Sequence, residues 1–306
     1  TQMSYYFLNL DKAVIIVIIT LICQIKMFKA ENDILNTISY LYPSSIELNN
    51  GNFLIIFSDG IYVFNSDITE EITKKEYESG FALDGNVESD MNTINLSKFD
   101  DGVIIAIIKT YLYIFSSTGE YIHHMNLYDD INGANYYSLI PIKVEENKDY
   151  YFAITYMDPS SKNIIIYYYK INSSSQTYEK IDFLQYSSEA MTTEKGLTCS
   201  LMITSENENE MVCFYKVSGG LGATSFKFDD KINIDFTSSS QNHNLYGNYK
   251  SAVNSDKTKA LICNSNNGAG ANCIFYDIIE DSFSEHIKYF DVCGMQPNVD
   301  RKSTRL

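Results

Sequence analysis

One pattern occurs twice in succession and limits the fold more than any single motif. The segment "SIELNNGNFLIIFSDGIYVFNSDITEEI" (Ser45–Ile72) and the segment "TINLSKFDDGVIIAIIKTYLYIFSSTGEYI" (Thr93–Ile122) read alike. Each has a short alternating strand, a polar turn, a long apolar run, a tight turn, an aromatic strand, a further turn and a polar last strand. Ile46 and Ile94 anchor the two, 48 residues apart, and units of the same build start near Ile140, Leu201 and Ala252, at intervals of 46, 61 and 51 residues. Runs such as "FLIIF" and "VIIAII" have no polar face, so whatever they form must be covered on both sides. Continuous apolar strands usually belong to parallel sheets covered by helices. The connections here carry no sustained 3.6-residue period: "KKEYESGFALDGNVESD" has two glycines and no apolar stripe.

Repeats of about 40–50 residues with four strands each are the mark of β-propeller blades. The chain resembles β-propeller proteins in period and strand pattern over about Asn36–Phe290. The resemblance implies an all-β, propeller-like array of four-stranded antiparallel blades, five of them visible. In such an array every blade packs against neighbours on both faces, so Phe53–Phe57 and Val103–Ile108 are expected to be middle strands buried on both sides. The "GH" and "WD" pair of WD40 repeats, the double glycine of kelch repeats and the "SxDxGxTW" box of sialidases are all missing, so no family function is carried over. "NTISYLY", ahead of the first unit, is a candidate outer strand for joining the first blade to the last.

The two ends read differently from the repeats. Lys12 precedes an apolar run of 11 residues, Ala13–Cys23. That is short of the roughly 20 residues needed to span a bilayer and suits the roughly 7–15 of a signal h-region. Residues 1–30 therefore read as a signal peptide. An uncleaved signal anchor is the alternative, because Phe28 and the flanking Lys26 and Lys29 make a poor cleavage site before Ala30, and a strand or helix of the core is a third reading. The last residues, "DRKSTRL", are the translation of GATCGGAAGAGCACACGTCTG, a common sequencing-library adapter. Asp300–Leu306 is thus expected to be adapter-derived and to pack against nothing. The repeat domain then occupies 31–299, with further blades or an anchor expected beyond it.

Charge narrows the partners. The chain has 23 Lys and Arg against 39 Asp and Glu, a net charge of −16. Such a field repels phosphate backbones, so no nucleic-acid partner is expected. Outside the signal segment, Cys199, Cys213, Cys263, Cys273 and Cys293 fit no zinc spacing. In a secreted chain Cys199 with Cys213, and Cys263 with Cys273, could each bridge neighbouring strands, with Cys293 pairing elsewhere; buried free thiols are the alternative. Asn172 in "NSS", read as a polar turn, and Asn95 in "NLS", within a strand, are glycosylation sequons if the chain enters the secretory path.

No catalytic, cofactor or metal set assembles. His123 and His124 are adjacent on a strand and so point to opposite faces, while His243 and His286 lack a partner at ligand spacing. "DDINGAN" (Asp129–Asn135) and "LDGNVESD" (Leu83–Asp90) are oxygen-rich but depart from EF-hand order and read as turns. The expectation is a secreted or cell-surface binding module for a protein or glycan ligand. It would be held at the membrane by its N-terminal segment or by a C-terminal anchor beyond the sequence. The alternatives are a propeller enzyme, hydrolase or lyase, with its site in a central channel, and an intracellular scaffold.

Overall fold

In a computed structural model of the chain, β2 (Phe53–Phe57) and β6 (Ile104–Ile108) are each the second strand of a four-stranded antiparallel sheet. The structure describes residues 44–57, 60–77, 94–131, 134, 137–146, 148–172, 177–187, 197–206, 208–217, 220–241, 249–265, 271–284 and 288–290. Residues 1–30, read above as a signal peptide, the tail Asp300–Leu306, Cys293, His243, His286 and Leu83–Asp90 lie outside the described residues.

Five sheets follow one another along the chain, and each is a meander whose strands pair in sequence order. Sheet 1 is completed by β1 (Ser44–Glu47), β3 (Gly60–Phe64) and β4 (Glu71–Glu76), and sheet 2 by β5 (Ile94–Lys98), β7 (Tyr111–Phe115) and β8 (Tyr121–Asn126). Sheet 3 is β9 (Ser138–Val144), β10 (Asp149–Met157), β11 (Ile164–Asn172) and β12 (Thr177–Tyr186). Sheet 4 is β13 (Leu197–Ile203), β14 (Asn209–Val217), β15 (Gly220–Phe228) and β16 (Ile232–Gln241). In sheet 5, β17 (Tyr249–Val253), β18 (Lys259–Ser265) and β19 (Ala271–Asp277) are followed by two short segments, β20 (Ser282–Phe283) and β21 (Lys288–Phe290), which both pair with β19. The single polar fourth strand expected there is therefore split in two. The described residues form two compact units, one holding sheets 1–3 and the other sheets 4 and 5 with Pro159–Asn163.

Local chemistry repeats with the sheets. The turn from first to second strand is closed by the same two backbone hydrogen bonds in three of them. Gly51 N donates to Leu48 O (3.0 Å) and Leu48 N to Asn52 O (2.8 Å); Gly102 N to Phe99 O and Phe99 N to Val103 O; Lys148 N to Glu145 O and Glu145 N to Asp149 O. The third position of this turn needs a left-handed backbone, with φ of 81° at Gly51, 95° at Gly102 and 60° at Lys148. At Gly102 a side chain is excluded twice over, since an added Cβ would also sit 2.0 Å from Asn49 Nδ2.

Burial explains the apolar runs. Along β6, Ile104, Ala106 and Ile108 join one cluster with Leu54, Ile56 and Val63 of sheet 1. Ile105 and Ile107, pointing the other way, join a second with Phe152, Ile154 and Tyr169 of sheet 3. Successive side chains on a strand face opposite sides, so a strand covered by a sheet on each side must fill both faces with apolar side chains or with polar ones paired inside the fold. The first strands also lie side by side, β1 against β5 and β5 against β9, and in the second unit β13 against β17. These are the relations of neighbouring propeller blades. The fold is an all-β, propeller-like succession of four-stranded antiparallel blades.

The cysteines fall at matching registers. Cys199 is the direct cross-strand partner of Cys213, and Cys263 of Cys273. The structure joins both pairs, with Cα–Cα separations of 4.0 and 4.1 Å.

Candidate functional site

A set of aromatic rings in the first unit gathers around Asp130. This carboxylate rides on α1 (Tyr128–Ile131), a single helical turn between β8 and β9. The "DDINGAN" stretch, expected as a plain turn, thus opens with helical backbone. Asn126 Oδ1 accepts from Tyr128 N (2.9 Å), which starts the turn. Ile131, wholly buried, pins it to the core, and the Tyr137 hydroxyl donates to Ile131 O (3.0 Å) and Ala134 O (2.9 Å), which ties down the segment beyond.

Thus held, Asp130 faces sheet 3. Its Oδ2 accepts from the Tyr169 hydroxyl at 2.7 Å, and its Oδ1 is paired with Lys180 Nζ. Tyr169 lies in a ladder of rings that climbs from core to surface. It stacks on Phe152 (5.3 Å between centroids) and on Tyr167 (6.1 Å), and Tyr167 stacks on Tyr156 (6.4 Å). Tyr137 meets Tyr156 edge-on at 6.0 Å, and Phe183 leans on Tyr167 at 5.0 Å. Phe152 and Tyr169 are fully buried, while Tyr178, Phe183 and Tyr128 are 46%, 45% and 52% exposed. Lys180 Nζ lies 5.5 Å from the centre of the Tyr167 ring.

The electrostatics suit binding more than proton transfer. Burial first, then the Asp130 hydrogen bond, holds the Tyr169 phenol far above its ordinary value. Burial also raises Tyr137, Tyr156 and Tyr167. The hydrogen bond to Asp130 raises Lys180, whose ammonium keeps its charge. At neutral pH the cluster presents phenol donors, ring faces, one ammonium and one carboxylate, and no phenolate or free amine to act as base or nucleophile.

The second unit has a polar cluster of another kind. Glu210 of β14 is fully buried, accepts from Ser225 Oγ, and leaves Oε1 without a hydrogen-bond partner at 3.5 Å from Lys227 Nζ. Lys227 is also 3.1 Å from Glu208 and 3.2 Å from Asp235. Burial pushes the Glu210 carboxyl up, opposed by Ser225 and Lys227, and the carboxylates around Lys227 push its ammonium up. Ser225 and Glu210 are fully buried, out of reach of a substrate, and Lys227 is held protonated by the carboxylates around it. The cluster reads as a polar plug.

The residues singled out from sequence are scattered. His123 and His124 take different neighbours, yet their ring centres lie 5.9 Å apart. His123 lines a cavity of about 20 Å³ with Phe99, Ile105, Ile114 and Asn172, roughly the room of one water, and burial lowers its pKa. His124 stacks on Tyr113 and meets the Tyr121 hydroxyl through Nδ1 at 2.6 Å. Asn172, read above as part of a polar turn, is the last residue of β11, paired with Asp149 of β10 and Thr177 of β12, and its amide donates to the buried Asp149 carboxylate. Asn95 lies in β5, its amide 2.8 Å from Tyr137 O. Among the described residues no group of three or more His, Cys, Asp or Glu side chains is placed to hold a metal ion. The tyrosine cluster escaped sequence reading because most of its rings sit in β10, β11 and β12 at positions that also suit ordinary strand packing.

No family model and no curated protein matches the sequence. Solved structures do resemble it. A triple mutant of AofleA from Arthrobotrys oligospora is 11% identical, with a TM-score of 0.50 over 83% of this chain and 72% of that one. The WD40 domain of SCAP from fission yeast is 12% identical, with a TM-score of 0.48 over 83% of this chain and 53% of that one. A protein of unknown function from Bacteroides caccae is 8% identical, with a TM-score of 0.43 over 76% and 69%. At such identities the likeness is one of fold.

Proposed function

We propose that the chain is a secreted or cell-surface interaction module that binds a protein or glycan partner through the tyrosine cluster of sheet 3. A tether at the membrane, through the N-terminal segment or an anchor further along the protein, belongs to the same reading. The observation that carries it is the exposure of Tyr178 and Phe183, packed on the Tyr169 and Tyr167 rings beside a fixed carboxylate. Half-exposed aromatic rings next to oriented polar groups are the composition of binding hot spots, and a succession of rigid blades is a common support for them. The two cysteine pairs suit an oxidising compartment.

The test is to secrete the chain from a eukaryotic host and probe it against arrays of cell-surface proteins and glycans. A Tyr178→Ala/Phe183→Ala variant runs in parallel. The expected result is secreted, oxidised protein with a discrete set of binders, weakened at least about tenfold in the variant. Cytosolic retention with free thiols overturns the compartment, and full binding by the variant overturns the site.

A further inference from the structure

The tyrosine cluster already holds an ammonium, that of its own Lys180, and we infer that it is a receptor for the lysine side chain of a partner protein. In this inference Lys180 is an internal occupant that the partner displaces. It deepens the interaction-module reading and rests on it.

Three observations lead there. First, Asp130 is only 17% exposed, and a largely desolvated carboxylate needs a cation. One oxygen takes a neutral phenol, Tyr169, so the other takes the charge. Second, that cation lies against an aromatic face, 5.5 Å from the centre of the Tyr167 ring, while Tyr178, two residues along the same strand, packs on Tyr169 at 6.5 Å. Third, the occupant is exchangeable. Lys180 belongs to the outermost strand of its sheet, its side chain is 45% exposed, and its long stem gains rotamer freedom on release. Lys170 and Lys227 differ. Lys170 shares the buried Asp149 with the Asn172 amide, and Lys227 is gripped by three carboxylates. The net charge of −16 draws basic partners toward the surface.

The ligand is taken to be a lysine on a protein segment rather than a free amine, because Tyr178 and Phe183 offer apolar area on the neighbouring rings that a small amine cannot cover. The test uses a short fluorescent peptide with one central lysine, its norleucine counterpart, and n-butylammonium as the free amine. Each is titrated by fluorescence polarisation or NMR against the full chain and its Lys180→Met and Lys180→Met/Asp130→Asn variants. Expected is at least about tenfold tighter lysine-peptide binding by Lys180→Met than by wild type. Norleucine should not bind, butylammonium should bind more weakly than the peptide, and Asp130→Asn should abolish the gain. Equal binding of the lysine and norleucine peptides, or no gain in Lys180→Met, overturns the inference. Butylammonium binding as tightly as the peptide overturns the protein partner.

If Lys180→Met does not fold, amine acylation of Lys180 in wild type is followed by mass spectrometry as the lysine peptide is added. A rise is expected, and an unchanged rate overturns the proposal. Array binders lost in Tyr178→Ala/Phe183→Ala but indifferent to Lys180→Met overturn this inference alone and leave the binding site standing.

Discussion

β6 and β14 hold the same place, second strand of a four-stranded blade, yet they fill it differently. β6 is "IIAII", five residues buried to the last atom with no polar side chain among them. β14 buries Met211, Val212, Cys213, Phe214 and Tyr215, but also Glu210, and its neighbour β15 buries Thr224 and Ser225. Around it are a cross-strand disulfide and a carboxylate whose charge is only partly met. Blade packing therefore requires burial on both faces but not apolarity. Where polar groups replace hydrocarbon, they must be tied to one another, because an unmet buried acceptor costs about 1–3 kcal/mol. The apolar strand should respond to loss of volume, the polar one to reduction and pH.

The largest effect should come from β6. Ile107→Ala opens a cavity between sheets 2 and 3, and denaturant unfolding should show a loss of about 2–5 kcal/mol. A loss under about 1 kcal/mol would mean the strand is not enclosed. The Cys199→Ala/Cys213→Ala pair should cost about 3 kcal/mol, the value for a closed loop of this size, since 14 residues separate the two cysteines. Dithiothreitol should destabilise wild type by more than this variant, which keeps only the second bridge.

Glu210→Gln should give a smaller effect that depends on pH. Burial raises the Glu210 carboxyl in the folded state, so the folded chain holds that proton more tightly than the unfolded one. The stability this contributes is fully present below the ordinary carboxylate value and is lost as pH rises through the raised one. Relative to wild type, Glu210→Gln should therefore gain stability as pH rises above about 4 and then level off. A difference flat in pH would contradict the assignment.

The smallest effect compares two turns between third and fourth strands. Gly119 N donates to Ser116 O in sheet 2, and Ile68 N donates to Asn65 O in sheet 1. Both residues have left-handed backbone, φ 91° at Gly119 and 56° at Ile68. A β-branched residue there is strained, so Ile68→Gly should gain about 1 kcal/mol, measured as a shift in denaturation midpoint.

The blades were legible in the sequence because their signal is local. Ile46, Ile94, Ile140, Leu201 and Ala252, read as starts of units, each fall in the first strand of a sheet. The apolar runs that follow can only be middle strands. What was not legible depends on distant pairs. Asp130 and Lys180 are 50 residues apart, and nothing in "YDDI" or "YEKI" announces that they meet. The tyrosines of β10 and β11 look alike in sequence whether they end in the core, as Tyr169 does, or approach the surface, as Tyr167 does.

The burial of middle strands between neighbouring blades is tested most directly by amide hydrogen exchange on the intact chain, resolved to peptides covering 104–108 and 121–126. With β6 enclosed and β8 at the outer edge of the same sheet, residues 104–108 should exchange at least about 100-fold more slowly than 121–126. Equal rates for the two segments, or fast exchange across 104–108, would contradict a blade covered on both faces.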